Sequence, residues 1–169
     1  MSLAFLAPAK ANDPFTLVNP VVGTWTVTTT FNMPGGAPPF VFTELATFAA
    51  GGTFLGTFSL DHNGANPAPL GPFLVDFSVK MGNWGLKPGT FNQYNLIFKE
   101  FLFAGPNTPD AIYGPHFNGQ HVGAASVVAS PVLNTAGDTL TGPFTVKFTN
   151  TQDQLLFTGT GSFVAKRLK

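Results

Sequence analysis

Val21-Val22-Gly23-Thr24-Trp25-Thr26-Val27-Thr28-Thr29-Thr30-Phe31 is the stretch whose reading decides the fold. Its residues alternate. Trp25, Val27, Thr29 and Phe31 fall on one side of an extended chain, and Thr24, Thr26, Thr28 and Thr30 on the other. Side chains of a β-strand point alternately to opposite faces, and β-branched threonine suits the pleated surface. The run therefore predicts a strand, apolar on one face and hydroxylated on the other.

The same pattern recurs outward along the chain. Strands are predicted over Val22–Met33, Phe40–Ala49, Thr53–Leu60, within Leu74–Leu86 with a break near Gly82, Thr90–Phe103, Gly119–Val132, Thr139–Asn150 and Gln154–Leu168. Gly, Pro, Asn and Asp punctuate them, as at Ala50-Gly51-Gly52 and Lys87-Pro88-Gly89. No long segment repeats apolar residues at helical spacing between caps. About eight strands in succession, with no helix for a parallel crossover, predict an all-β chain: a single antiparallel up-and-down barrel. The barrel domain is expected over residues 12–169.

In such a meander alternate connections share one end. The two long connections, after Leu60 and after Phe103, fall at the same end, and the opposite end has only tight turns. Trp25 and Arg167 then meet at the tight end if the first strand closes against the last. There the chain resembles the lipocalin-like (calycin) superfamily, whose first strand opens with G-x-W and whose last strand carries a basic residue. Gly23-Thr24-Trp25 and Arg167 match that pair in kind, order and position. The resemblance implies that Arg167 packs over Trp25 as a cation on a ring and closes the floor, with Gly23, Trp25 and Arg167 as structural closure residues. The C-terminal helix of true lipocalins is not evident. The allene oxide cyclase and dirigent barrels, which are oligomeric, share the strand count.

Composition narrows the function. Of 169 residues 44% are apolar but only 9% are charged, against about 25% in an ordinary domain. Eight acids balance eight bases, so there is no basic surface for nucleic acid. With no cysteine, disulfides and thiolate chemistry are excluded. No apolar run is long enough for a transmembrane helix. Nineteen phenylalanines imply a ring-lined interior, a subunit seam, or both. Leu3 to Ala11 read like the end of a secretory signal peptide, with Ala9-Lys10-Ala11 as its cleavage site. Secretion or periplasmic export is the expectation, and a plain N-terminal arm is the other reading of residues 1–11.

Candidate chemistry is sparse. Glu44 alternates with Phe42, Ala46 and Phe48. Pointing inward, it would be a carboxylate in a ring-lined interior, able to serve as acid or base. The opposite face, Val41, Thr43, Leu45 and Thr47, is also half apolar, so both registers stand. In the Phe-rich strand one of the adjacent residues Lys99 and Glu100 points in and the other out. Asp76 and Lys80 share a parity. His62, His116 and His121 belong to the end with the long connections, but without metal-ligand spacing. Tyr113 lies in the second long connection, placed to bond a ligand's polar head or to pin the loop.

Three functions fit. The first is a binding module for a small apolar molecule such as a lipid, terpenoid, pigment or aromatic metabolite, with Phe31, Phe42, Phe48, His62, Tyr94, Phe98 and His116 around it and no cofactor. The second is an isomerase or cyclase on the same barrel, with Glu44, Tyr113 and His121 as catalytic candidates. The third is a self-assembling β-subunit, since a surface poor in charge favours homo-oligomers.

Overall fold

The computed structural model describes residues 19–33, 38–57 and 74–169. The signal-like segment and His62 lie outside the described residues. Ten strands form one antiparallel sheet: β1 (Gly23–Asn32), β2 (Phe40–Phe48), β3 (Thr53–Gly56), β4 (Val75–Phe77), β5 (Lys80–Leu86), β6 (Tyr94–Ala104), β7 (His121–Ala129), β8 (Val132–Leu133), β9 (Thr139–Asn150) and β10 (Leu155–Arg167). Eight of them close a barrel in the order β1-β2-β3-β5-β6-β7-β9-β10, and β10 returns to β1. The other two are short additions, β4 on β6 and β8 on β9. A single helical turn, α1 (Asp110–Tyr113), sits in the connection from β6 to β7. Among the described residues no helix is long and apolar enough to cross a membrane.

The alternation in β1 holds: Trp25, Val27, Thr29 and Phe31 are buried. β10 turns Gly159, Gly161 and Ala165 inward beside them. Glycine at two of these places makes room for rings. A Cβ on Gly161 would stand 2.5 Å from Phe144, and one on Gly159 would collide with Phe31. The interior is a chain of ring contacts. Trp25 meets Phe48 edge-on at 6.5 Å, Phe48 meets Phe54 at 5.2 Å, and Phe54 stacks on Phe98 at 5.0 Å. Such pairs add to the area each ring removes from water.

Three boundaries differ from the sequence expectation, the simplest being that the strand expected over Gly119–Val132 stops at Ala129 and Val132–Leu133 form the separate β8. The break in the fourth predicted strand falls at Ser78-Val79, not Gly82. The amide of Ser78 donates to Phe101 O at 2.9 Å, and the amide of Phe101 donates to Ser78 Oγ at 2.8 Å. The two residues shift the alternation, so Val75 and Phe77 are buried before the break and Lys80 and Trp84 after it. Asp76 and Lys80, assigned one face by parity, therefore stand in different phases. The strand predicted from Thr90 begins at Tyr94, because Thr90 closes a turn by donating its amide to Lys87 O.

The floor follows the closure read from the two chain ends. Trp25 and Arg167 are register partners, with the guanidinium carbon 4.3 Å above the indole. Arg167 donates from Nε to Gly137 O at 2.9 Å, from Nη1 to Val22 O at 2.7 Å, and from Nη2 to Pro20 O. The Trp25 indole N–H donates to Val21 O at 3.0 Å. Gly23 has φ 139°, and a Cβ there would stand 2.6 Å from Arg167 Nη1. Glycine is required where the fork of the arginine lies against the backbone.

Candidate functional site

The barrel encloses a cavity of about 70 Å³. Its wall is mostly rings and small aliphatic groups, including Phe31, Phe42, Phe48, Phe54, Phe98 and Phe144. Three charged side chains break that wall: Glu44 from β2, Lys80 from β5 and Glu100 from β6. All three are buried.

Local pattern explains each position. In β2, Glu44, Ala46 and Phe48 are buried while Thr43 and Leu45 are exposed, which resolves the open register with Glu44 inward. In β6 the buried positions are Tyr94, Leu96, Phe98, Glu100, Leu102 and Ala104. Glu100 therefore shares a face with five core residues, and Lys99 faces out. Lys80 opposes Gly56 of β3. A Cβ on Gly56 would lie 3.1 Å from Lys80 Cδ, so the glycine leaves space for the lysine stem to enter the barrel.

The electrostatics run through Lys80. Its Nζ donates to Glu44 Oε2 in a buried ion pair. The ammonium also lies 5.4 Å from the Phe98 ring centre and 5.8 Å from that of Phe42, where ring faces attract a cation. Thr29 Oγ1 lies 3.4 Å from Glu44 Oε1, its hydroxyl donating. Glu100 is less well served. Its Oε2 has no hydrogen-bond partner among the described residues. Burial pushes its carboxyl up to about 7, Lys80 pulls it down, and Glu44 pushes it further up. A carboxyl of that kind carries or releases a proton near neutral pH.

Of the residues singled out in the sequence, Phe31, Phe42, Phe48, Phe98 and Glu44 line the cavity. Tyr94 is buried but stands below that wall, edge-on to Trp84 at 5.9 Å. Burial raises its phenol, and the charge of Arg167 opposes the rise. Tyr113 ends α1, packs against the apolar core, and has its phenol raised by burial. His116 is tied within its own loop: Nδ1 lies 2.7 Å from Gly114 O and 3.0 Å from Asp110 Oδ1. His121 is exposed, its ring 5.4 Å from Phe101 and 5.8 Å from Phe103. The catalytic candidates Glu44, Tyr113 and His121 thus occupy three settings, of which only Glu44 is on the cavity wall. Among the described residues no cluster of three or more His, Asp or Glu is placed to hold a metal ion.

The chain matches no protein-family profile and no curated protein. The antiparallel eight-strand barrel with its Trp25–Arg167 floor is consistent with a calycin-like fold.

Lys80 and Glu100 are not among the site residues that the sequence suggests. The signal for Glu100 was present. In the β6 sequence its own parity is otherwise apolar, while Gln93, Asn95 and Lys99 mark the opposite face as outward. The signal for Lys80 was masked by the phase shift at Ser78-Val79.

Proposed function

We propose that this chain is a calycin-type container that takes a small, largely apolar molecule into its barrel. The observation that carries the reading is the internal cavity, walled by phenylalanine rings and interrupted, among the described residues, by three charged side chains. Ligand sites have this composition, an apolar lining with few polar groups that orient the occupant. The cavity is smaller than the roughly 150 Å³ void that accepts benzene in an engineered protein. The ligand therefore gains space by moving side chains, and Phe42, Phe144 and Phe163 are the half-buried rings on its wall.

Two experiments test this. Native mass spectrometry of protein from its own source, followed by denaturing extraction, should show a bound small molecule. Ethylbenzene should raise the stability of the empty protein by about 1.4 kcal/mol at tenfold excess over Kd. Ala129→Leu, which fills the cavity wall, should remove that response without unfolding the chain. No extracted molecule, together with an ethylbenzene response absent or unchanged in the filled variant, refutes the container.

A second reading has one observation in its favour. Glu100 titrates near neutrality inside an apolar cavity, as a general acid or base requires. An isomerase or cyclase would use it as the proton carrier, and turnover of a barrel-bound substrate would be lost in Glu100→Gln.

A further inference from the structure

We infer that the occupant of this barrel is an apolar amine, with one protonated nitrogen held at Glu100 and its hydrocarbon body among the phenylalanine rings. The inference rests on the container reading above and specifies its ligand class. Its first support is the unpartnered Oε2 of Glu100, buried and on the cavity wall. A buried acceptor left without a donor is costly, so the site is complete only when something donates to it.

Charge says what kind of donor. Glu44 and Glu100 bring two negative charges when both are ionised, and Lys80 brings one positive. The wall residues from β1, β3, β4, β7, β9 and β10 are Phe, Val, Ala and Thr and bring none. Among the described residues the cavity is therefore one positive charge short whenever Glu100 is ionised. A carboxylate-headed ligand would add a third negative charge in a low-dielectric space. A hydrocarbon would leave Oε2 bare. An ammonium satisfies both the acceptor and the charge, and its N–H···O bond to a carboxylate is of the stronger, charge-assisted kind. The wall already holds one cation against ring faces, Lys80 near Phe42 and Phe98.

The same arrangement sets a pH dependence. Without ligand, Glu100 is protonated below about 7, so an arriving ammonium must displace that proton. Among the described residues Glu44 and Lys80 are the charged groups that share the cavity with it. Amine affinity should rise with pH through neutrality, whereas binding of a neutral hydrocarbon should not.

The test is calorimetric titration of the full chain, freed of co-purified material, with benzylamine, its neutral isostere ethylbenzene, and the anion benzoate. At about pH 8 benzylamine should bind at least ~10-fold tighter than ethylbenzene, and benzoate weakest of the three. At about pH 5.5 the advantage of the amine should shrink. Glu100→Gln should erase it while ethylbenzene binding persists. Carbon-13 NMR of the wild-type Glu100 carboxyl gives an independent reading: its apparent pKa should fall when benzylamine is bound. Ethylbenzene binding as tightly as benzylamine, an amine advantage that survives Glu100→Gln, or a Glu100 titration unmoved by benzylamine would each overturn the amine while leaving the container intact. Failure of all three compounds to bind would overturn the container, and the amine with it.

Discussion

Replacing Glu100 by glutamine should change how stability depends on pH. In the folded barrel the Glu100 carboxyl titrates near 7, whereas its ordinary value is 4.5. Desolvation is the main cause, so the protonated form is favoured by folding. A raised pKa means that the native state holds a proton that the unfolded chain releases. The contribution is fully present below about 4.5 and is lost as pH rises through about 7. At about 1.4 kcal/mol per pKa unit the whole effect is roughly 3 kcal/mol, of which roughly 2–3 kcal/mol falls between pH 5 and pH 8. Glutamine has nearly the same shape and does not ionise, so the variant lacks this loss. Urea denaturation of both proteins at several pH values isolates the term, because the other titrating groups are common to the two. The stability of Glu100→Gln relative to wild type should climb by roughly 2–3 kcal/mol from pH 5 to pH 8. A difference that stays flat across that window would refute the buried, partner-poor carboxyl and the charge argument built on it.

Other outcomes follow from the same geometry. Lys80→Met strands Glu44 and Glu100 in the core and should cost about 3–5 kcal/mol in urea melts, while adding Glu44→Gln to it should recover much of the loss; a single variant as stable as wild type would contradict the buried pair. Arg167→Ala removes the ring contact and three carbonyl bonds at the floor and should cost roughly 2–4 kcal/mol with ligand affinity little changed. Arg167→Lys should not restore it, since an ammonium lacks the planar fork, and a full rescue in thermal melts would argue against that geometry. On the outer wall Leu45, Leu55, Val79, Met81 and Ile97 are exposed, and Leu55 and Met81 are register neighbours. This row predicts self-association that Met81→Lys weakens, and sedimentation showing a monomer at every concentration would count against it.

The sequence by itself determined the architecture. Alternation in β1 and β10, tight turns on one side, and the G-x-W and arginine pair at the two chain ends lead to a closed barrel with a sealed floor. These signals are local or simply topological. Strand faces repeat every two residues, and antiparallel order decides which ends meet. The same arithmetic put Phe31 on the face of Trp25 and left the faces of β2 and β6, with Phe48 and Phe98 on them, undecided. It left Glu44 open, because both faces of β2 are half apolar and only pairing with β1 and β3 selects one. What the tertiary structure alone decided is the charged cluster. Ser78-Val79 shifts the phase of its strand, Gly56 clears a path for the Lys80 stem, and three residues from β2, β5 and β6 converge on one stretch of the wall. Neither sequence distance nor spacing encodes that meeting. It arises when β2, β3, β5 and β6 pair side by side and their inward faces share one small volume, where each charge is felt by the others because water is excluded.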